Sequence, residues 1–171
     1  MRLLKKTVAR LQKGDEAVDW PDPEVSLAGA AYLPEAYVPD SSQKLHLYRR
    51  LSKATSVTEI ESLKLELIDR FGQPPIEVER LLDAAALRVL GRAVGAERIF
   101  VRGRTARVSF RADVVPKLAA LEGPLRQRRA RIDVLRVQPL SVGLEMEGGQ
   151  PITETLTVAL SALRSARPAA A

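Results

Sequence analysis

The 171-residue chain contains no cysteine, which excludes disulfides and thiolate zinc sites and fits a reducing compartment. Its one histidine, His46, has no Cys or clustered carboxylate beside it, so it reads as a surface or boundary residue of a helix rather than a zinc ligand or catalytic base. Aromatic residues make up 4% of the chain, which is poor material for stacking single-stranded bases. No apolar run approaches the roughly 18 residues of a membrane span, and the N-terminus lacks the apolar region of a signal peptide. The expectation is a cytoplasmic protein. Neither G-x-x-x-x-G-K-[ST] nor G-x-G-x-x-G occurs, so no familiar phosphate-cradling loop is present. The acidic pairs Glu59/Glu61 and Glu77/Glu79 fall at helix starts, where capping and the helix dipole explain them. The chain therefore reads as non-catalytic, with no metal or cofactor.

What is present is the composition of a folded, soluble protein: 46% hydrophobic and 28% charged residues. The length suits one domain, with or without a helical appendage. The net charge of +6 is uneven. Residues 1–97 carry 14 Lys and Arg against 15 Asp and Glu, whereas residues 98–171 carry 13 against 6. All the positive excess lies in the second part, where Arg126, Arg128, Arg129 and Arg131 crowd one stretch and Arg102, Arg104, Arg107 and Arg111 decorate another. Such clusters are either a solvated basic face or weak phosphate contacts. Arg107, Arg111, Arg128 and Arg129 are the candidate nucleic-acid contacts of a basic DNA-binding accessory module.

Arg2 to Lys13 reads as a short amphipathic helix, and residues 14–40, with Pro21, Pro23, Pro34 and Pro39, as a linker or extended strap. Within the strap, Val25 to Leu27 can pair as a short edge strand, and Tyr32, Leu33, Tyr37 and Val38 can pin it to a core. Ser42 is the expected N-cap of a helix to about Lys53 with Leu45, Tyr48 and Leu51 inside. Ser56-Val-Thr-Glu59 matches the capping-box pattern. The stripe Ile60, Leu63, Leu67, Ile68 and Phe71 follows, and Gly72 suits a left-handed cap. Pro74 and Pro75 open a third helix that buries Val78, Leu81, Leu82, Ala85 and Val89 and closes at Gly95.

After Gly95 the period changes to alternation. Ile99 to Arg111 predicts a hairpin that turns at Gly103-Arg104 and buries Ala106, Val108 and Phe110. A helix is expected from about Asp113 to Leu121, interrupted at Gly123-Pro124. Strands at Ile132–Val137 and Val142–Met146 come next, then a final helix from Ile152 to about Ser165. The fold class is α+β: N-terminal helices followed by a ββαββα unit whose small four-stranded sheet is packed by helices. The division is a helix and strap over residues 1–40 and one α+β domain over 41–171, helical to 95 and ββαββα over 96–167.

On the second of these helices, with Ile60 at zero and about 100° per residue, Asp69, Glu66 and Arg70 fall near about 180°, 240° and 280°, outside the apolar stripe. Glu66 and Arg70 are an i,i+4 pair worth about 0.2–0.5 kcal/mol to the helix. Two readings stand: a local ion pair, or a docking surface.

The runs Tyr32-Leu-Pro-Glu-Ala-Tyr-Val-Pro-Asp40, Leu45-His-Leu-Tyr-Arg-Arg50 and Glu66-Leu-Ile-Asp-Arg-Phe-Gly72, with the prolines after them, resemble the C-terminal domain of the bacterial transcription-repair coupling factor. In that family the whole factor is an ATP-driven DNA translocase that displaces stalled RNA polymerase and recruits nucleotide-excision repair. None of the translocase motifs is in this chain. The resemblance implies a regulatory, autoinhibitory domain that docks on the UvrB-like domain of the same factor. There it masks the surface that binds UvrA until the factor engages polymerase and DNA. It also implies that Glu66, Asp69 and Arg70 supply the docking contacts. The stretch after residue 95 carries no motif as specific.

Overall fold

The computed structural model describes residues 20–166. The helix expected over Arg2 to Lys13 and the Ala-rich end after Pro168 lie outside these residues. The first described element is β1 (Glu24–Leu27), followed by helices α1 (Ser41–Lys53), α2 (Val57–Phe71) and α3 (Ile76–Val94). The hairpin β2 (Ala96–Arg102) and β3 (Thr105–Phe110) comes next, then a 3₁₀ turn (Leu118–Leu121) that runs into α4 (Glu122–Gln127). The chain closes with β4 (Ala130–Val137), β5 (Leu140–Met146) and α5 (Ile152–Ala166).

The α+β class holds, with one strand more than the expected four: the sheet has five strands in the order β1-β2-β3-β5-β4. The added strand is the Val25–Leu27 segment of the strap. It pairs parallel with β2, Val25 opposite Ile99 and Leu27 opposite Val101, while every other pair is antiparallel. The described part of the strap, residues 20–40, packs on the helices and the sheet: Leu33, Tyr37 and Val38 are buried as expected and only Tyr32 of that group is exposed.

Two apolar clusters share the long helix α3. Its first half buries Val78, Leu82 and Ala85 against α1, α2 and the strap, together with Leu33, Leu47, Ile60, Leu63 and Leu67. Its second half turns Leu87, Leu90 and Val94 onto the sheet, where they meet Ile99, Val108, Phe110, Leu144, Leu156 and Leu160. At 1.5 Å per residue the 19-residue helix spans about 28 Å, long enough to serve both. Helices α3 and α5 cover one sheet face. The other face carries Phe100, Thr105, Arg107, Asp133 and Glu145 into solvent.

Local corrections have local causes. Helix α1 is capped by Asp40, not Ser42: the Asp40 carboxylate accepts from the Ser42 N–H. It buries Leu47 and Leu51 and leaves Leu45 exposed, because packing against α3 selects a phase of the helix that the spacing Leu45, Tyr48, Leu51 does not reveal. Ser56 caps α2 as expected, its hydroxyl accepting from the Glu59 N–H. The Glu59 carboxylate, however, accepts from Thr55, one residue before the position a capping box requires. Gly72 has φ +87° and ψ −170°, a glycine conformation but not the left-handed helical one, which Gly95 does adopt (φ 77°, ψ 26°). No helix forms over 113–117, since Pro116 removes a donor and disfavours helical Val115. Pro124 instead falls in the first turn of α4, where no N–H is needed, so Gly123-Pro124 does not interrupt that helix.

Candidate partner-docking site

The end of α2 is held from behind before it presents anything outward. The Tyr37 hydroxyl donates to the Gly72 carbonyl (2.8 Å), which the helix leaves open at its C-terminus, and more weakly to the Leu67 carbonyl (3.2 Å) within the last turns. Burial pushes the Tyr37 phenol above its ordinary value, which keeps it a donor. Its ring meets Phe71 at 5.6 Å between centroids, tilted by 54°, and the Arg70 guanidinium lies 5.1 Å from the Phe71 ring. This stacking orients Arg70 by a cation–π contact.

Glu66 is not a free charge. Its Oε2 accepts from Arg50 Nη1 of α1 at 2.5 Å and faces Arg70 Nη1 at 3.6 Å, all three side chains being a little over one third exposed. The Arg50 hydrogen bond, foremost, holds its carboxyl below the usual value, and the charges of Arg50 and Arg70 add to the effect. Asp69 is exposed one turn from this triad and makes no ion pair among the described residues. Beside it on the same helix face stands Leu65, 67% exposed.

The structure thus brings Glu66, Asp69 and Arg70 together at one corner and adds two residues that the sequence reasoning missed. Arg50 has no local signal, since its partner is 16 residues away on another helix. Leu65 was legible: it lies near about 140° on the helical wheel, outside the apolar stripe and next to Asp69.

The four arginines considered for nucleic acid are not gathered in this way. Arg107 lies on the open sheet face, while Arg111 is half-buried beyond β3, its N–H donating to the Gly95 carbonyl. Arg128 is already engaged by Thr155 Oγ1 (2.8 Å) and Glu154 Oε2 (3.1 Å) on the helix-covered side. Arg129 occupies a positive-φ turn (54°) between α4 and β4. His46 is exposed on α1, and no group of His, Asp and Glu among the described residues has metal-holding geometry. None of the described helices is long and apolar enough to cross a membrane.

The TRCF domain family model matches residues 27–121, from the last residue of β1 through the rest of the strap, the helical corner and the first hairpin to the 3₁₀ turn. The chain belongs to the TRCF domain family. The transcription-repair-coupling factor of Staphylococcus epidermidis is 39% identical over 94 residues, 55% of this chain and 8% of that protein. That of Escherichia coli K12 is 35% identical over 103 residues, 58% of this chain and 9% of that protein. This TRCF domain therefore spans under a tenth of the length of these relatives. A crystal structure of the C-terminal domain of transcription-repair coupling factor superposes with a TM-score of 0.73 at 20% identity, covering 87% of this chain and 96% of that one. The TRCF domain thus has the fold of that C-terminal domain through its sheet as well as its helices.

Proposed function

We propose that this TRCF domain is a non-catalytic, autoinhibitory module that docks through the α2 corner on the UvrB-like domain of its own factor. Docking covers the UvrA-binding surface until stalled RNA polymerase and DNA draw the factor open. The observation that supports this reading is the pairing of an uncompensated carboxylate, Asp69, with exposed Leu65 on a helix end that Tyr37, Arg50 and Phe71 hold rigid. A fixed charge beside an apolar anchor suits a specific contact, and the partly exposed charges suit a reversible one. Reversible restraint needs a coupling of about 1–3 kcal/mol between the docked and released states.

In this reading the three residues have different tasks. Asp69 and Arg70 contact the partner directly, while Glu66 chiefly fixes Arg70 and ties α2 to α1 through Arg50. Calorimetric titration of the chain with the purified UvrB-like domain tests this. Glu66→Lys with Asp69→Lys is expected to abolish docking and restore UvrA binding, and Asp69→Lys alone to weaken docking at least about tenfold, with the fold intact. Unchanged affinity of the Asp69 variant would overturn the assignment.

A further inference from the structure

The uncovered sheet face has a feature that a merely solvated face does not need. Across its middle, Ser26, Phe100, Arg107, Gly143 and Asp133 lie side by side on successive strands. Gly143 leaves a depression there, and Leu135, at the register shift in β4, leans over it. Phe100 and Leu135 are 40% and 50% exposed, on a face whose other side chains are polar. The result is an open trough of about 720 Å³ between two apolar side chains, with Arg102 and Arg107 in its wall.

The charges around the trough are unevenly satisfied. Each carboxylate has a partner: Glu24 faces Arg98 at 3.6 Å, and Arg131 serves both Glu145 at 2.6 Å and Asp133 at 3.5 Å. Arg102, Arg107 and Arg136 are exposed with no ion pair among the described residues. Two guanidiniums in the trough wall and a third, Arg136, on the same face next to Leu135, with two apolar anchors between polar side chains, make the composition of a protein-recognition hot spot. Single-stranded nucleic acid fits less well: there is one aromatic ring to stack on, and the Asp133 and Glu145 carboxylates line the same trough and would face the phosphates. The free edge of β4 is not the docking element, since Arg131, Asp133, Arg136 and the irregularity at Leu135 are the usual guards against edge pairing.

We infer that the open sheet face is a second interaction surface, which binds an acidic protein segment carrying bulky apolar side chains. The apolar groups seat between Phe100 and Leu135 while carboxylates pair with Arg102, Arg107 and Arg136. The surface shares no residue with the α2 corner, so either assignment can fail without the other.

The test uses the full chain and three fluorescein-labelled probes: a peptide of alternating Asp and Leu, one of alternating Lys and Leu, and a single-stranded oligothymidine. The Asp-Leu peptide is expected to raise anisotropy and to shift amide resonances of β2, β3 and β5, with the Lys-Leu peptide inert. Arg102→Glu with Arg107→Glu is expected to weaken binding at least about tenfold, Phe100→Ser several-fold, and Asp69→Lys not at all. Should the double reversal fail to fold, Arg102→Gln with Arg107→Gln removes the charges alone and is expected to act in the same direction. Absence of Asp-Leu binding, binding indifferent to these substitutions, or oligothymidine held more tightly than the peptide would each overturn the inference.

Discussion

The helical half and the sheet half of this domain are stabilised in different ways. Around α1 and α2, individual side chains tie specific backbone groups. Tyr37 holds the end of α2, the Tyr48 hydroxyl accepts from the Leu33 N–H at 2.8 Å, and Arg88 donates to the carbonyls of Leu51 and Ala54 at the end of α1. In the sheet half the ladder satisfies most of the backbone, with Arg104 adding bonds to the Met146 carbonyl at 2.7 and 3.1 Å, and the core asks mainly for apolar residues of suitable volume. A side chain that must reach one carbonyl has few substitutes, whereas Val108 or Leu144 has several. The family-model match runs through the helical half and on past the first hairpin to residue 121, whereas the structural match covers 87% of the chain.

The largest effects bear on whether the two halves are one unit. Phe110→Ala in the sheet core is expected to cost about 3–5 kcal/mol and Leu67→Ala in the helical core about 2–5 kcal/mol. Both side chains are essentially inaccessible. Because α3 belongs to both cores, urea unfolding followed by far-UV circular dichroism and by Trp20 fluorescence should give one coincident transition in each variant. Two separated transitions would break the picture of a shared helix.

The caps of α2 and α3 sharpen the contrast next. A Cβ on Gly95 would come within 2.6 Å of Val114 Cγ2 and 3.1 Å of the Trp20 ring, in addition to the φ of +77°. Gly95→Ala is therefore expected to cost about 2–4 kcal/mol. At Gly72, with φ +87°, a Cβ meets nothing within 4 Å, so Gly72→Ala should show the backbone cost alone, about 1–3 kcal/mol. Denaturant midpoints rank the two, and equal losses would show that the neighbours at Gly95 yield freely.

The smallest effect is the pH dependence of the corner. The folded-state pKa of Glu66 lies below the ordinary 4.5, so its contribution is fully present above about that pH and is lost as pH falls through the folded value. With the carboxylate more than one third exposed, solvent screening limits this to less than about 0.5 kcal/mol. Stability of the native chain should converge on that of Glu66→Gln between pH 6 and pH 3, and a constant gap would remove the ion pair from the account.

Much of the fold was legible where a residue's task is local. Ser56, Glu59, Pro75 and the alternation Ala106, Val108, Phe110 announce a cap, a first turn, a helix start and a strand face through their immediate neighbours. The phase of α1 was settled by its packing against α3, whereas the missing helix at 113–117 follows from Pro116, a local signal; the edge strand expected at Val25 to Leu27 does form and makes the sheet five-stranded. At the candidate site, helical spacing placed Asp69 and Arg70 outside the core, but it gave Glu66 the same standing. Only Arg50, brought alongside by the α1–α2 packing, shows that the Glu66 charge is largely spent within the domain.

By itself, then, the chain's order of apolar and polar residues determined the α+β class, most element positions and the outward direction of the α2 charges, because periodicity and capping act within a few residues. Tertiary structure alone decided which charges are compensated, that the edge strand of the strap pairs parallel with β2, and that Phe100, Arg107 and Leu135 meet on one open face. Those outcomes depend on groups far apart in the chain, and no local pattern encodes the partner.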